Sequence, residues 1–307
     1  MTSLLPWGVA HLAELEALSR RRRLRTEPGI DPGAARDRIL ESLSRVDRDR
    51  LTSRFLDLLD NSERLGLKMS HPGSFGWPGL LSDISAPPFM LWMKGDPAAL
   101  HPPGIAIVGA REAGSDSLLA VTALSREVAR LGLCVVSGMA RGVDGAAHLG
   151  ALAAAGRTIA VVGTGLDRVY PASHRFLETE ILAGGGLVLS EFPPGDLPEA
   201  WHFPHRNRLI VGLSVAVVAG LTVAAREHTS PPESPSKKAG KFWSSMGGPA
   251  VGNGRGRIFL SPKAPGESEV PRKSSLRSCP EERRYDDLYE RLLKSECSKE
   301  IGPGSFR

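Results

Sequence analysis

The chain has 307 residues, 41% hydrophobic and 24% charged, a globular composition that excludes wholesale disorder, collagen-like repeats and fibrous coiled coils. Its three cysteines (Cys134, Cys279, Cys297) make neither a disulfide framework nor a metal spacing, and no apolar run is long enough to span a membrane. The formal charge of +5 sits wholly in residues 226–307, which carry 16 Lys/Arg against 11 Asp/Glu, so any anion site in the balanced remainder is local.

Residues 1–70 form a charge-dense helical N-terminal region, with apolar positions such as Leu40, Leu43, Leu51, Phe55, Leu58 and Leu59 at helical spacing. The Arg20–Arg23 run within it is read as a solvated helix face rather than a nucleic-acid contact. Met1–Ala10 lacks the basic and small-residue pattern of a signal peptide, so a soluble, cytoplasmic protein is expected. Residues 71–103 are a lead-in rich in proline and aromatics (Phe75, Trp77, Phe89, Trp92), suited to a small cap on a larger domain.

From residue 104 the pattern alternates between short apolar runs and helical periods. Strands are predicted at Ile105–Val108, Cys134–Val136, Thr158–Val162, Leu187–Leu189 and Val215–Val218. Helices are predicted over Ser117–Leu131, closed by Gly132, then Gly145–Ala155 and Ser173–Leu182. This alternation implies βαβ units, an α/β fold with a doubly wound parallel sheet over residues 104–225. Residues 226–307 lose all period and read as a low-complexity, largely disordered tail, with one hint of a helix at Tyr285–Leu293.

Ligands of such sheets sit beyond the carboxyl ends of the strands. There the sequence places Gly109-Ala110-Arg111, Ser137-Gly138-Met139-Ala140-Arg141-Gly142, Gly163-Thr164-Gly165, Glu191-Phe192-Pro193-Pro194 and Phe203-Pro204-His205-Arg206-Asn207-Arg208. Glycines at these turns admit backbone N–H groups to a ligand, and converging arginines make an anion cradle, most simply for phosphate. Neither a dinucleotide fingerprint nor a Walker lysine loop nor a nucleophile elbow is present. Asp144 and His148 are read as a helix cap and a locally bonded core histidine rather than a catalytic pair, and His174, His202 and His205 lack partners at metal spacing. No metal, cofactor or catalytic residue is assigned.

In this order the motifs resemble the DNA-processing protein A (DprA/Smf) family over about residues 65–218. The resemblance rests on Ile105–Arg111, Val135–Asp144 with Ala146-Ala147-His148, Gly156–Val161, Gly163–Pro171, Leu189–Gly195 and Phe203–Ser214. It implies a Rossmann-like domain that binds single-stranded DNA without reading its sequence. It further implies a role in natural transformation and competence: protecting incoming DNA, serving recombination and loading the RecA recombinase. By position the DNA-binding residues are Gly109, Arg111, Ser137, Gly138, Arg141, Gly142, Arg157, Gly163, Arg206, Asn207 and Arg208. Stacking candidates are few: Tyr170, Phe192, Trp201 and Phe203.

The resemblance ends after about residue 220. Family members continue the last strand through a Glu-Ala step and a Ser-Gly segment into a helix and another strand. Here Val217-Val218-Ala219-Gly220 leads into Leu221–Ser230 and Pro231-Pro232. A neighbouring reading frame, with suitable GC-rich codons, restores a family-like continuation, so a frame shift is one account of the tail. A missing final strand leaves the sheet edge open and argues against the family's homodimer. Two alternatives stand beside the DNA-binding mediator. One is a truncated, non-functional family member; the other is a Rossmann-like nucleotide-processing enzyme of the lysine-decarboxylase-like phosphoribohydrolase type, whose Pro-Gly-Gly-x-Gly-Thr loop is absent.

Overall fold

The computed structural model describes residues 4–20, 31–84, 86–219, 250–251 and 257–260. Most of the tail, including Tyr285–Leu293 and the frame-shift segment, lies outside these residues, as do Arg21–Arg23.

Three helices open the chain: α1 (Leu4–Ser19), α2 (Pro32–Ser42) and α3 (Arg45–Arg64). Asp31 caps α2 by accepting from the Ala34 amide at 3.0 Å, with Pro32 in the first turn where its missing N–H is harmless. Ser44 caps α3 by accepting from the Asp47 amide at 3.1 Å, and its hydroxyl donates back to the Asp47 carboxylate at 2.7 Å. Gly8 lets α1 and α3 close up, since a Cβ there would sit 2.1 Å from the buried Phe55 ring.

The sheet strands are β1 (Lys68–Ser70), β2 (Leu91–Gly95), β3 (Gly104–Val108), β4 (Cys134–Ser137), β5 (Thr158–Val162), β6 (Leu187–Ser190), β7 (Ala216–Ala219), β8 (Ala250–Val251) and β9 (Arg257–Leu260). They lie in the order β1-β2-β6-β5-β4-β3-β7-β9-β8. The central five, β6-β5-β4-β3-β7, are mutually parallel. The flanking pairs β1–β2, β2–β6, β7–β9 and β8–β9 are antiparallel. The expected α/β fold with its doubly wound parallel core is therefore present.

Helices cover both faces, which is why the central strands read as unbroken apolar runs. Ala106, Cys134, Val136, Ile159 and Val161 face α7 (His202–Gly212) and the Gly79–Asp83 turn through Leu81, Leu209, Ile210 and Leu213. Ile107, Val135 and Val218 face α4 (Ser115–Arg130) and α5 (Val143–Leu152). Further along that face, Ala160, Val162 and Val188 pack with α6 (Arg175–Ala183) and the N-terminal helices. Gly132, at φ +77°, turns the chain out of α4 as expected.

Three features differ from the sequence reading. The lead-in over 71–103 supplies β2, a buried strand that joins the N-terminal region to β6. Phe203–Arg208, read as a strand-end motif, lies within helix α7; Pro204 falls in its first turn, where proline is tolerated. The open edge expected at β7 is instead paired by β9, with Ala216 opposite Leu260 and Ala219 opposite Arg257, so the β7 backbone has hydrogen-bond partners on both sides.

Candidate functional site

The parallel strands β3, β4, β5 and β6 all point their carboxyl ends to one edge, and their following loops meet there. The loop after β3 is sewn to the start of α5: the Val143 amide donates to the Ala110 carbonyl at 3.1 Å. Gly142 permits this closeness. Its φ is +72°, and a Cβ would lie 2.4 Å from the Ala110 carbonyl oxygen and 2.6 Å from that of Arg111. A Cβ on Gly109 would likewise strike Val143 at 2.7 Å. The two loops are thus packed backbone to backbone, and each presents an exposed arginine, Arg111 and Arg141.

The Arg111 guanidinium lies 5.0 Å from the centre of the Phe203 ring, in cation–π contact. Phe203 in turn packs tilted against Tyr170, ring centres 5.4 Å apart, and Tyr170 is 42% exposed. Phe203 is held where it is because its neighbour His202 donates Nδ1–H to the Gly163 carbonyl at 3.0 Å and stacks on buried Phe192 at 3.8 Å. Burial pushes the His202 imidazole below its ordinary pKa. Asn207, one helical turn beyond Phe203, is also exposed.

Beneath this surface lies a second set of polar groups that face inward. Arg206 is only 4% exposed; its Nη1 donates to the Gly138 carbonyl at 2.6 Å and to the Val161 carbonyl. Burial lowers its pKa to about 10, with the field of Asp144 working the other way, so it stays charged at neutral pH. Asp144 is itself raised by burial, partly offset by Arg206 and by backbone amides at Ala140, Gly109 and Gly138. Arg208 donates to the Glu191 carboxylate, which also faces His205 Nε2 at 3.2 Å. Burial opposes ionisation of Glu191, yet Arg208 and His205 outweigh it and hold the carboxyl well below the usual range. On the far side of Glu191, His11 Nε2 of α1 donates to its carbonyl at 2.7 Å, tying the N-terminal helix to the β6 loop.

The model of the DNA recombination-mediator protein A family matches residues 68–228, more than half of the chain and the whole of this edge. The chain belongs to that family. Protein Smf of Synechocystis sp. is 42% identical over 151 residues, which are 48% of this chain and 38% of that protein. DNA processing protein DprA of Streptococcus pneumoniae is 41% identical over 142 residues, 46% of this chain and 50% of that one. The chain therefore spans half or less of these relatives' length. The X-ray structure of DprA from Streptococcus pneumoniae superposes with a TM-score of 0.57 at 27% identity, covering 78% of this chain and 88% of that chain.

Within this recombination-mediator fold the residues singled out from sequence separate into three groups. Gly109, Arg111, Arg141, Gly142, Asn207 and, through the bond its carbonyl accepts from His202, Gly163 come together at the carboxyl edge. Ser137, Gly138, Arg206 and Arg208 lie at the same edge but within the protein. The Ser137 hydroxyl donates to the Ile107 carbonyl at 2.6 Å, and a Cβ on Gly138 would sit 2.1 Å from Arg206 Nη1. Arg157 is not part of the gathering. It precedes β5 at the amino end of the strands, where it donates to the Ala98 carbonyl at 3.1 Å and faces Asp96 at 3.8 Å. Of the stacking candidates, Phe192 is fully buried, whereas Tyr170 and Phe203 reach the surface beside Arg111.

Asp144 and His148 do not form a catalytic pair in this arrangement. Asp144 accepts from the Ala140 amide at 3.4 Å, and His148 bonds Thr158 Oγ1 at 2.7 Å in the core. Among the described residues no group of three or more His, Cys, Asp or Glu is placed to hold a metal ion.

Proposed function

We propose that this chain binds single-stranded DNA across the carboxyl edge of its sheet, without reading sequence, and serves recombination in natural transformation. The observation that carries the reading is the Arg111–Phe203–Tyr170 array: a surface aromatic pair, Tyr170 exposed and Phe203 half-buried, with a guanidinium laid over the Phe203 ring and Arg141 on the adjoining loop. Unpaired bases stack on such rings whatever their identity, and planar guanidiniums grip phosphate oxygens. The amino end of α7 adds partial positive charge at the same place. Family membership and relatives named DNA processing protein DprA support the same role. Delivery of the bound strand to RecA and action within the cytoplasm complete the proposal. No described helix is long and apolar enough to cross a membrane.

A hydrolytic reading requires a carboxylate free to work as acid, base or nucleophile. Glu191 is held by Arg208 and His205, and Asp144 is buried against Arg206 and backbone amides. Both carboxylates serve the fold, which favours the binding role.

Fluorescence anisotropy of labelled oligonucleotides over a salt series tests the proposal. Homopolymeric single strands should bind within a few-fold of one another and more tightly than duplex, with affinity falling linearly in log salt. Equal or tighter binding to duplex, or affinity indifferent to salt, overturns it.

A further inference from the structure

The loop from Gly138 to Gly142 carries Arg141, and its backbone is held in an unusual shape. Met139 has φ +59°, a left-handed conformation that side-chain-bearing residues adopt only when their surroundings impose it. Its side chain is fully buried in the core, so the strain serves to turn the chain sharply between a fixed Met139 and the exposed Arg141. Beyond the bond from Arg206 to the Gly138 carbonyl at its start, three contacts hold that turn. The Ala140 amide donates to Asp144, the Ala140 carbonyl accepts from the Gly145 amide at 3.1 Å, and the Met139 carbonyl accepts from His174 Nδ1–H at 3.0 Å.

The third contact is the only one of these made from outside the loop and α5. His174 closes the short turn Ala172–His174 ahead of α6, is 2% exposed, and sits over Gly145, where a Cβ would come within 3.1 Å of its Cε1. The absent side chain at Gly145 is what gives the imidazole room to reach Met139. Burial, reinforced by the nearby positive charge of Arg141, keeps the imidazole below its ordinary pKa despite the bond to Met139.

We propose that His174 is a positioning residue for DNA binding: its Nδ1–H fixes the Met139 carbonyl and so presents Arg141 beside Arg111. The imidazole itself is buried beneath the loop and touches no ligand. This inference rests on the single-stranded DNA reading above.

The test uses the full chain and a fluorescein-labelled thymidine homopolymer. In His174→Asn the amide nitrogen stands the same number of bonds from Cα as Nδ1 and restores the donor; in His174→Gln it is displaced by one methylene. His174→Asn should bind within about twofold of the parent and His174→Gln about tenfold more weakly, a gap within the usual range for coupled neighbours. Adding His174→Gln to Arg141→Ala should weaken binding little further, because the residue through which it acts is already gone. Gly145→Ala gives an independent approach that keeps the imidazole but presses it a few tenths of an ångström out of its place against Met139, and it should also weaken binding. It decides the matter if His174→Gln fails to fold. Equal affinities for His174→Asn and His174→Gln, fully additive losses with Arg141→Ala, or unchanged affinity in Gly145→Ala each overturn the proposal. Failure of the underlying reading looks different: the parent chain does not bind the oligonucleotide, or Arg111→Ala binds as well as the parent.

Discussion

Arg206 lies directly under the loop at Gly138, its Nη1 donating to the Gly138 carbonyl at 2.6 Å while the same nitrogen reaches Val161. The glycine is required by the contact, since a Cβ would stand 2.1 Å from that nitrogen. A guanidinium placed this way braces the ends of β4 and β5 and balances the buried Asp144.

Arg206→Ala should therefore act on stability first. It strands two carbonyls and leaves Asp144 without its opposing charge, which should lower the unfolding free energy by about 3–5 kcal/mol. Urea titration followed by circular dichroism reads this directly. A variant that keeps its urea midpoint yet loses DNA would move Arg206 from brace to ligand.

Arg111→Ala should behave in the opposite way. The side chain is exposed, and its contact with Phe203 contributes only about 0.5–1 kcal/mol at such a site. Thermal stability should change little. Affinity for single-stranded DNA should fall by about 1–3 kcal/mol, and the salt slope should decrease by about one. Arg111→Lys should recover only part of the loss, because an ammonium does not reproduce a planar fork.

From the sequence, Arg111 and Arg206 looked alike, each following a glycine- or proline-marked turn near a strand end. What separates them is depth, and depth depends on α7. That helix was illegible because His202–Arg208 has no apolar period; its charges turn inward to Gly138 and Glu191 instead of outward to water. Strands β3 to β7 were legible because burial on both faces leaves short apolar runs between glycines, a pattern that survives without tertiary context. β2 was hidden by its proline- and aromatic-rich flanks, although Leu91-Trp92-Met93 is as buried as any central strand. The far position of Arg157 was readable in principle, since a residue just before a parallel strand lies at the amino end. His174 left no signal in sequence, as its partner is a backbone carbonyl 35 positions away.

Stability should fall with acid through His148. Thr158 Oγ1 donates to the Val135 carbonyl, so it must accept from His148 Nδ1–H, and the buried Nε2 has no partner among the described residues. Burial above all lowers the His148 pKa to about 3 from an ordinary 6.5, so the unfolded chain takes up a proton that the folded chain refuses. The folded state is thus favoured fully above pH 6.5 and progressively less between 6.5 and 3. At pH 5 the difference is about 2 kcal/mol. His174 and His202, also lowered, act with the same sign. His148→Asn keeps a donor for Thr158 but does not titrate, so its urea midpoints at pH 5, 6 and 7 should fall less steeply than the parent's. Parallel slopes would remove His148 from the account.

Phe203→Leu isolates the stacking half of the interface. The ring is anchored at its base by His202, which bonds Gly163, and it lies at the surface with Arg111 over the ring and Tyr170 tilted beside it. Leucine keeps much of the apolar volume but has no face on which a base can stack, so the domain should melt close to the parent. Affinity for single strands should drop by about 1–3 kcal/mol, the usual contribution of one stacked base. The salt slope should stay where it was, because no phosphate contact has been removed. That combination distinguishes Phe203→Leu from Arg111→Ala, in which affinity and slope fall together. Paired anisotropy titrations at several salt concentrations measure both quantities on one sample. A reduced slope in Phe203→Leu would mean that the ring acts by holding Arg111 in place; undiminished affinity would remove base stacking from the mechanism.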